Sequence, residues 1–137
     1  MPESDMPRIL GSLAVLALSV ALSAQAADLA EGIDLYKNHC AACHGADGEG
    51  NGPAAPAMRT PVPNLRVLAR RNGDVFPTDA VTAYIDGRDL KAAHGDREMP
   101  IWGDVFRDPD PKKARERIDS LVAFLKTMQE APGPNRR

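Results

Sequence analysis

The sequence predicts an all-α domain, and three observations carry that expectation. Apolar residues recur at helical spacing at both ends of the chain beyond residue 27: Leu29, Ile33, Tyr36 and Cys40 make one stripe, and Ile118, Leu121, Val122, Leu125 and Met128 make another. The stretch between them is punctuated by glycine and proline, with no strand-rich pattern. Only two cysteines occur, and both lie in Cys40-Ala41-Ala42-Cys43-His44, outside any βαβ context. The length of 137 residues suits one domain. Aromatics are scarce (Tyr36, Phe76, Tyr84, Trp102, Phe106 and Phe124), which leaves a thin core unless a bound group adds apolar volume. A net charge of −2 argues against nucleic acid or a strongly charged membrane surface as partner.

The C-x-x-C-H run reads as a site of covalent haem attachment. Each thiol can form a thioether with one of the two haem vinyl groups, and the two-residue gap sets the sulfurs about one helical turn apart. His44 follows at once, so its ring can swing under the iron as the proximal ligand. A redox dithiol and a structural zinc site are the competing readings. The first expects a βαβ unit and the second four ligands, whereas only His39 and His94 remain as histidines beyond the motif.

Cys40-Ala41-Ala42-Cys43-His44-Gly45, followed by Asp47-Gly48-Glu49-Gly50-Asn51-Gly52-Pro53, resembles the haem-binding segment of class I cytochromes c, and so does Met99-Pro100-Ile101-Trp102-Gly103 near the other end. The resemblance spans roughly residues 28–130. It implies the class I cytochrome c fold, with N- and C-terminal helices crossing around one covalently bound haem c. It further implies His44 and Met99 as axial ligands. Pro63-Asn64-Leu65 is similar to the family segment whose proline carbonyl accepts a bond from the proximal histidine. Carried over, the Pro63 carbonyl would hold Nδ1–H of His44, fixing the ring and raising its basicity.

Residues 1–26 read as an export signal. Ile9 to Ala24 carries no charge, and Ala24-Gln25-Ala26 is a small-x-small pattern that predicts cleavage after Ala26. Glu3 and Asp5 outweigh Arg8 in the leading segment, whereas a start at Met6 gives Met6-Pro7-Arg8, a conventional positive one; both starts stay open. The alternative is an uncleaved membrane anchor, for which the run is short against the ~20 residues of a span. A helix is expected over 28–41, capped by Asp28 with Glu31 completing a capping box. Its stripe puts Cys40 on the buried face. Gly32 in its middle costs about 1 kcal/mol, which a close helix crossing would justify.

Residues 45–63 are expected as a loop, because Gly45, Gly48, Gly50 and Gly52 are followed by Pro53, Pro56, Pro61 and Pro63. The loop would wrap the haem edge, where glycine permits close backbone approach. Asp47, Glu49 and Asn51 faintly suggest a calcium loop, but the glycine and final glutamate are misplaced. A short helix over 65–71 has Asn64 as cap, Leu65, Leu68 and Ala69 inward, Asn72-Gly73 as stop, and Arg66, Arg70 and Arg71 outside. A second, over 78–86, has Thr78 as cap, Val81, Tyr84 and Ile85 on its apolar face, and Gly87 as its end. Arg88, just beyond, is either solvated or paired with a haem propionate.

Residues 87–109 form the second functional element. A six-coordinate haem needs a ligand opposite His44, from among Met58, Met99, Met128, His39 and His94. His39 adjoins the proximal side, and core packing explains Met128. Pro100 forces Met99 out of helical geometry, and a loop presenting one thioether suits the iron. The residues alone leave Met58, His94 and an open sixth site beside Met99; the resemblance selects Met99. Trp102 either gives its N–H to a propionate or packs as a core aromatic. The last helix is expected over 111–129, with Asp110 as cap and Pro111 first, although Lys112, Lys113 and Arg115 oppose the dipole at its start.

The expected organisation is thus a signal peptide over 1–26, a cytochrome c domain over 27–130 and a disordered tail over 131–137. The expected function is one-electron transfer between a redox protein donor and acceptor in the periplasm or at its membrane, with no nucleic acid and no stable membrane insertion once the signal is removed. No Ser-His-Asp set, paired carboxylates or phosphate loop points to an enzyme. The alternatives are a haem-bearing subunit of a dehydrogenase or reductase complex, and a gas-binding haem protein with an open sixth site.

Overall fold

Tyr36 anchors the first helix to the rest of the molecule. In the computed structural model, which describes residues 28–89, 98–107 and 110–131, helix α1 covers 28–39 and Tyr36 on it is 1 % exposed. The chain turns at Cys40 (φ −114°) and resumes at once as α2, Ala41–His44. The expected end at residue 41 is therefore replaced by a helical path through the whole motif: Cys40 N–H still donates to the Tyr36 carbonyl at 2.9 Å, and His44 N–H to that of Cys40 at 2.9 Å. The loop beyond makes this possible. The amides of Gly50, Gly52 and Ala54 donate to the carbonyls of His44, Cys43 and Ala42 at 2.8, 3.1 and 2.8 Å, satisfying the acceptors that a helix end leaves open.

The loop contains one 3₁₀ turn, Ala55–Ala57, and leads to a second, Leu65–Val67, which passes into α3, Leu68–Arg71. Asn64 caps this segment, its side-chain oxygen accepting from Arg66 N–H at 2.8 Å. Two of the outward arginines find partners: Arg66 bonds Glu49 at 2.8 Å and Arg70 bonds Glu130 at 2.9 Å. Helix α4 is Thr78–Asp86, ended by Gly87 at φ 70°. Two expectations fail there. Pro77 occupies the cap position, with no side-chain cap bond, and Thr78, the expected cap, is the first residue of the helix. Tyr84 is 54 % exposed while Ile85 is 4 % exposed, because the helix buries a narrow stripe centred on Ile85 and Tyr84 falls beside it.

Helix α5, Trp102–Val105, forms within a segment expected as loop, and α6 is Pro111–Thr127. Asp110 caps α6 as expected, accepting from Lys112 N–H at 2.9 Å. Its basic start is offset down the helix by Lys113–Glu116 at 2.7 Å and Arg115–Asp119 at 3.0 Å. The helix stops two residues short of the expected 129 because Gln129 is committed elsewhere. Its amide donates to the carbonyls of Leu65 and Leu125, both at 2.8 Å, and its oxygen accepts from Ala69 N–H at 3.0 Å.

Helices α4, α5 and α6 pack on one another, and α1 crosses α6 at Gly32. A Cβ on Gly32 would meet the Ser120 backbone and stand 3.1 Å from Phe124 Cβ, so the mid-helix glycine is the crossing point. Glu31 accepts from the Ser120 hydroxyl at 3.1 Å across this crossing. The core is Tyr36, Ile85, Phe106, Ala114, Ile118, Leu121, Val122 and Leu125. Among the described residues there is no strand, and no helix is long and apolar enough to cross a membrane. The export signal expected over 1–26, its cleavage after Ala26, and His94 lie outside the described residues, as does the expected tail beyond Ala131.

Candidate functional site

The end of α1 and the single turn of α2 deliver Cys40, Cys43 and His44 together. His44 is nearly buried, and its Nδ1–H donates to the carbonyl of Pro63 at 3.2 Å. Burial lowers the affinity of the ring for a second proton, and the Pro63 bond acts in the opposite sense. The outcome is a neutral imidazole whose Nδ1 is spoken for and whose Nε2 carries the lone pair, the form that ligates a metal. The turn is held from behind by a residue that sequence reasoning assigned only to packing. The Tyr36 hydroxyl donates to the carbonyl of Gly45 at 2.7 Å, where Gly45 has φ 83°. Burial, with smaller contributions from Cys40 and Asp47, pushes the Tyr36 phenol up to about 12. The signal for this role was present: a buried tyrosine hydroxyl must find a partner.

The thiols do not suit disulfide exchange. Burial, and then Cys43 beside it, pushes Cys40 up to about 12, whereas an exchanging dithiol needs a low-pKa thiolate. Neither do the polar side chains of the loop suit a cation. Asp47 spends its oxygens on Glu49 N–H at 3.1 Å and the Asn51 amide at 3.3 Å, and among the described residues no group of three or more His, Cys, Asp or Glu could hold a metal ion.

Met99, partly buried, packs against the same core cluster as Cys40 and Trp102. Trp102 stacks on Phe106 with centroids 5.4 Å apart, and His39 of α1 sits edge-on to both rings at 5.3 Å. Glu98, unmarked in the sequence reading, binds the loop that carries Met58: it accepts from Arg59 N–H at 2.7 Å, Thr60 N–H at 3.0 Å and the Thr60 hydroxyl at 2.6 Å. The Thr60 hydroxyl, then the Arg59 amide, hold the Glu98 carboxyl down to about 2. No local pattern could have found it, since its partners lie 38 and 39 residues away. Arg88 is engaged by Asp86 through Nε–Oδ1 at 2.6 Å and Nη2–Oδ2 at 2.7 Å, and Gly103 packs against this pair. Met58 ends the Ala55–Ala57 turn in an extended conformation. Met128 packs over Gly48, its Cε 2.9 Å from where a Cβ there would stand, close to the Tyr36 hydroxyl.

The donor chemistry fits a haem c: two cysteines one turn apart, a neutral imidazole oriented through Nδ1, and a thioether packed on the same core cluster. A helical domain that presents this set is a c-type haem protein. The chain belongs to the cytochrome c family, whose model, Cytochrome c, matches residues 29–129. Comparison with curated proteins and with solved structures gave no significant match. Membership of the family makes the chain a haem-bearing electron-transfer protein, with the haem attached covalently.

Proposed function

We propose that the chain is a monohaem one-electron carrier, with Cys40 and Cys43 in thioether linkage and His44 and Met99 as axial ligands. The bond from His44 Nδ1–H to the Pro63 carbonyl carries this reading, because it fixes the ring in the ligating tautomer and in one orientation. One haem follows from one attachment motif and two cysteines. Haem c supplies an iron that gains and loses one electron. The chain's own residues hold that iron: His44 is set by Pro63, the turn carrying it is set by Tyr36, and Met99 offers a soft thioether that favours the ferrous state. Trp102 and Arg88 are the residues we assign to the propionates, Arg88 with the N–H groups that Asp86 leaves. The leading segment, with its uncharged run and Ala24-Gln25-Ala26, supports export to the periplasm, where the partners are redox proteins that give and take one electron.

The test is the optical spectrum of the haem-loaded chain, oxidised and then reduced under carbon monoxide. A weak long-red band from thioether bound to ferric iron, with no shift under carbon monoxide, is the expected result. Met99→Ala removes that band. A high-spin spectrum that shifts with carbon monoxide overturns the carrier reading in favour of small-molecule binding at an open iron.

A further inference from the structure

We infer that Glu98 is a positioning residue for the sixth iron ligand, its carboxylate fastening the Met99 segment to the loop that orients His44. The inference rests on the reading of Met99 as that ligand. Glu98 immediately precedes Met99, and its two oxygens are divided between two successive residues of the facing loop. Oε1 accepts from Arg59 N–H at 2.7 Å and Arg59 Nε at 3.4 Å; Oε2 accepts from Thr60 N–H at 3.0 Å and the Thr60 hydroxyl at 2.6 Å. Two backbone amides fix the carboxylate in direction as well as position, which a surface ion pair alone would not do. Three residues beyond Thr60, the same loop gives its Pro63 carbonyl to His44. One short stretch of backbone, 59–63, is therefore bonded at one end to the segment of one axial ligand and at the other to the ring of the second.

A thioether binds ferric iron weakly, so its replacement by an external ligand reports how often the Met99 segment opens. The apparent affinity of such a ligand scales with the population of the opened state. Without Glu98, the Met99 segment keeps its packing on the core but loses its tie to 59–60, so opening becomes local and frequent.

The experiment titrates imidazole into oxidised, haem-loaded full-length protein while following the thioether-to-iron band and, separately, the thermal melt by circular dichroism. Glu98→Ala is expected to raise imidazole affinity about tenfold or more, as loss of charge-assisted bonds implies, with a melt close to that of the parent chain. Glu98→Gln, which keeps one good acceptor oxygen, falls between the two. Thr60→Val raises the affinity by a smaller factor in the parent chain and by none in Glu98→Ala, because its hydroxyl has already lost its acceptor. Imidazole affinity within twofold of the parent in all three variants overturns the inference while leaving Met99 as ligand. A rise that merely follows a lowered melt overturns it too, since Glu98 then acts on the whole fold. A parent protein lacking the thioether band overturns the ligand reading and the inference with it. If Glu98→Ala fails to mature with haem, Glu98→Gln and Thr60→Val decide the matter.

Discussion

At the scale of single residues, the orientation of His44 depends on groups outside the Cys40–His44 motif. Tyr36 is the clearest case. Its hydroxyl bonds the carbonyl of Gly45, one residue past His44, and its ring meets Phe124 edge-on at 5.2 Å. Tyr36→Phe keeps the ring contact and removes the shorter of two bonds to that carbonyl, leaving the one from Gly48 N–H at 3.2 Å, so the expected cost is about 1 kcal/mol in a denaturant melt. An unchanged midpoint would show that the bond carries no weight. The pH dependence has a definite sign. The phenol is held protonated by burial, with its pKa raised from 10.0 to about 12. Its contribution to stability is therefore fully present below pH 10 and is lost as pH rises towards about 12. Stability of the parent chain should fall through that interval more steeply than that of Tyr36→Phe, and parallel curves would refute the assignment.

At the scale of helices, the crossing of α1 and α6 is set by the absence of one side chain. Alanine at position 32 would gain about 1 kcal/mol in helix propensity. Its methyl group, however, would press on the Ser120 backbone, which has no rotamer to yield, and on Phe124. Overpacking of about 1–3 kcal/mol and the strain of separating the helices outweigh the gain, so Gly32→Ala should destabilise by about 2 kcal/mol. A higher melting temperature for this variant would place the crossing elsewhere. Gly32 was legible in the sequence as a glycine that needed a reason, just as Asp110-Pro111 marked the start of α6 and Cys40 to His44 marked the turn that carries both thiols and the imidazole. Each of these signals is confined to a few neighbouring residues. What escaped reading was decided by distant partners. Pro77 rather than Thr78 opens α4, Tyr84 stays exposed because of where the neighbouring helices lie, and Glu98 answers to Arg59 and Thr60. Pro100 and the likeness to a family single out the Met99 segment in the sequence. The carboxylate that ties it to the facing loop was not.

At the scale of the whole molecule, the chain is closed by its own end. Gln129 spends its entire side-chain amide on Leu65, Ala69 and Leu125, and Glu130 N–H adds a bond to the Arg66 carbonyl at 2.8 Å. These bonds pin the segment that follows Pro63 to the end of α6. Gln129→Ala should therefore cost about 2–3 kcal/mol and also loosen the His44 ring, read as broadened ring resonances in the reduced, haem-loaded protein. Loss of stability without that broadening would confine Gln129 to a structural role. The crossing at Gly32 has a consequence for how the molecule comes into being. Among the described residues, five of the nine buried hydrophobic side chains, Ala114, Ile118, Leu121, Val122 and Leu125, belong to α6. Until α6 is in place, α1 lacks the surface it crosses at Gly32, and the two thiols just beyond it belong to an open chain. On the attachment proposed for Cys40 and Cys43, that chemistry and folding draw on the same interval of the protein's life: the cysteines are easiest to reach before the fold exists, and the docking of the seventeen-residue α6 (Pro111–Thr127) ends that access.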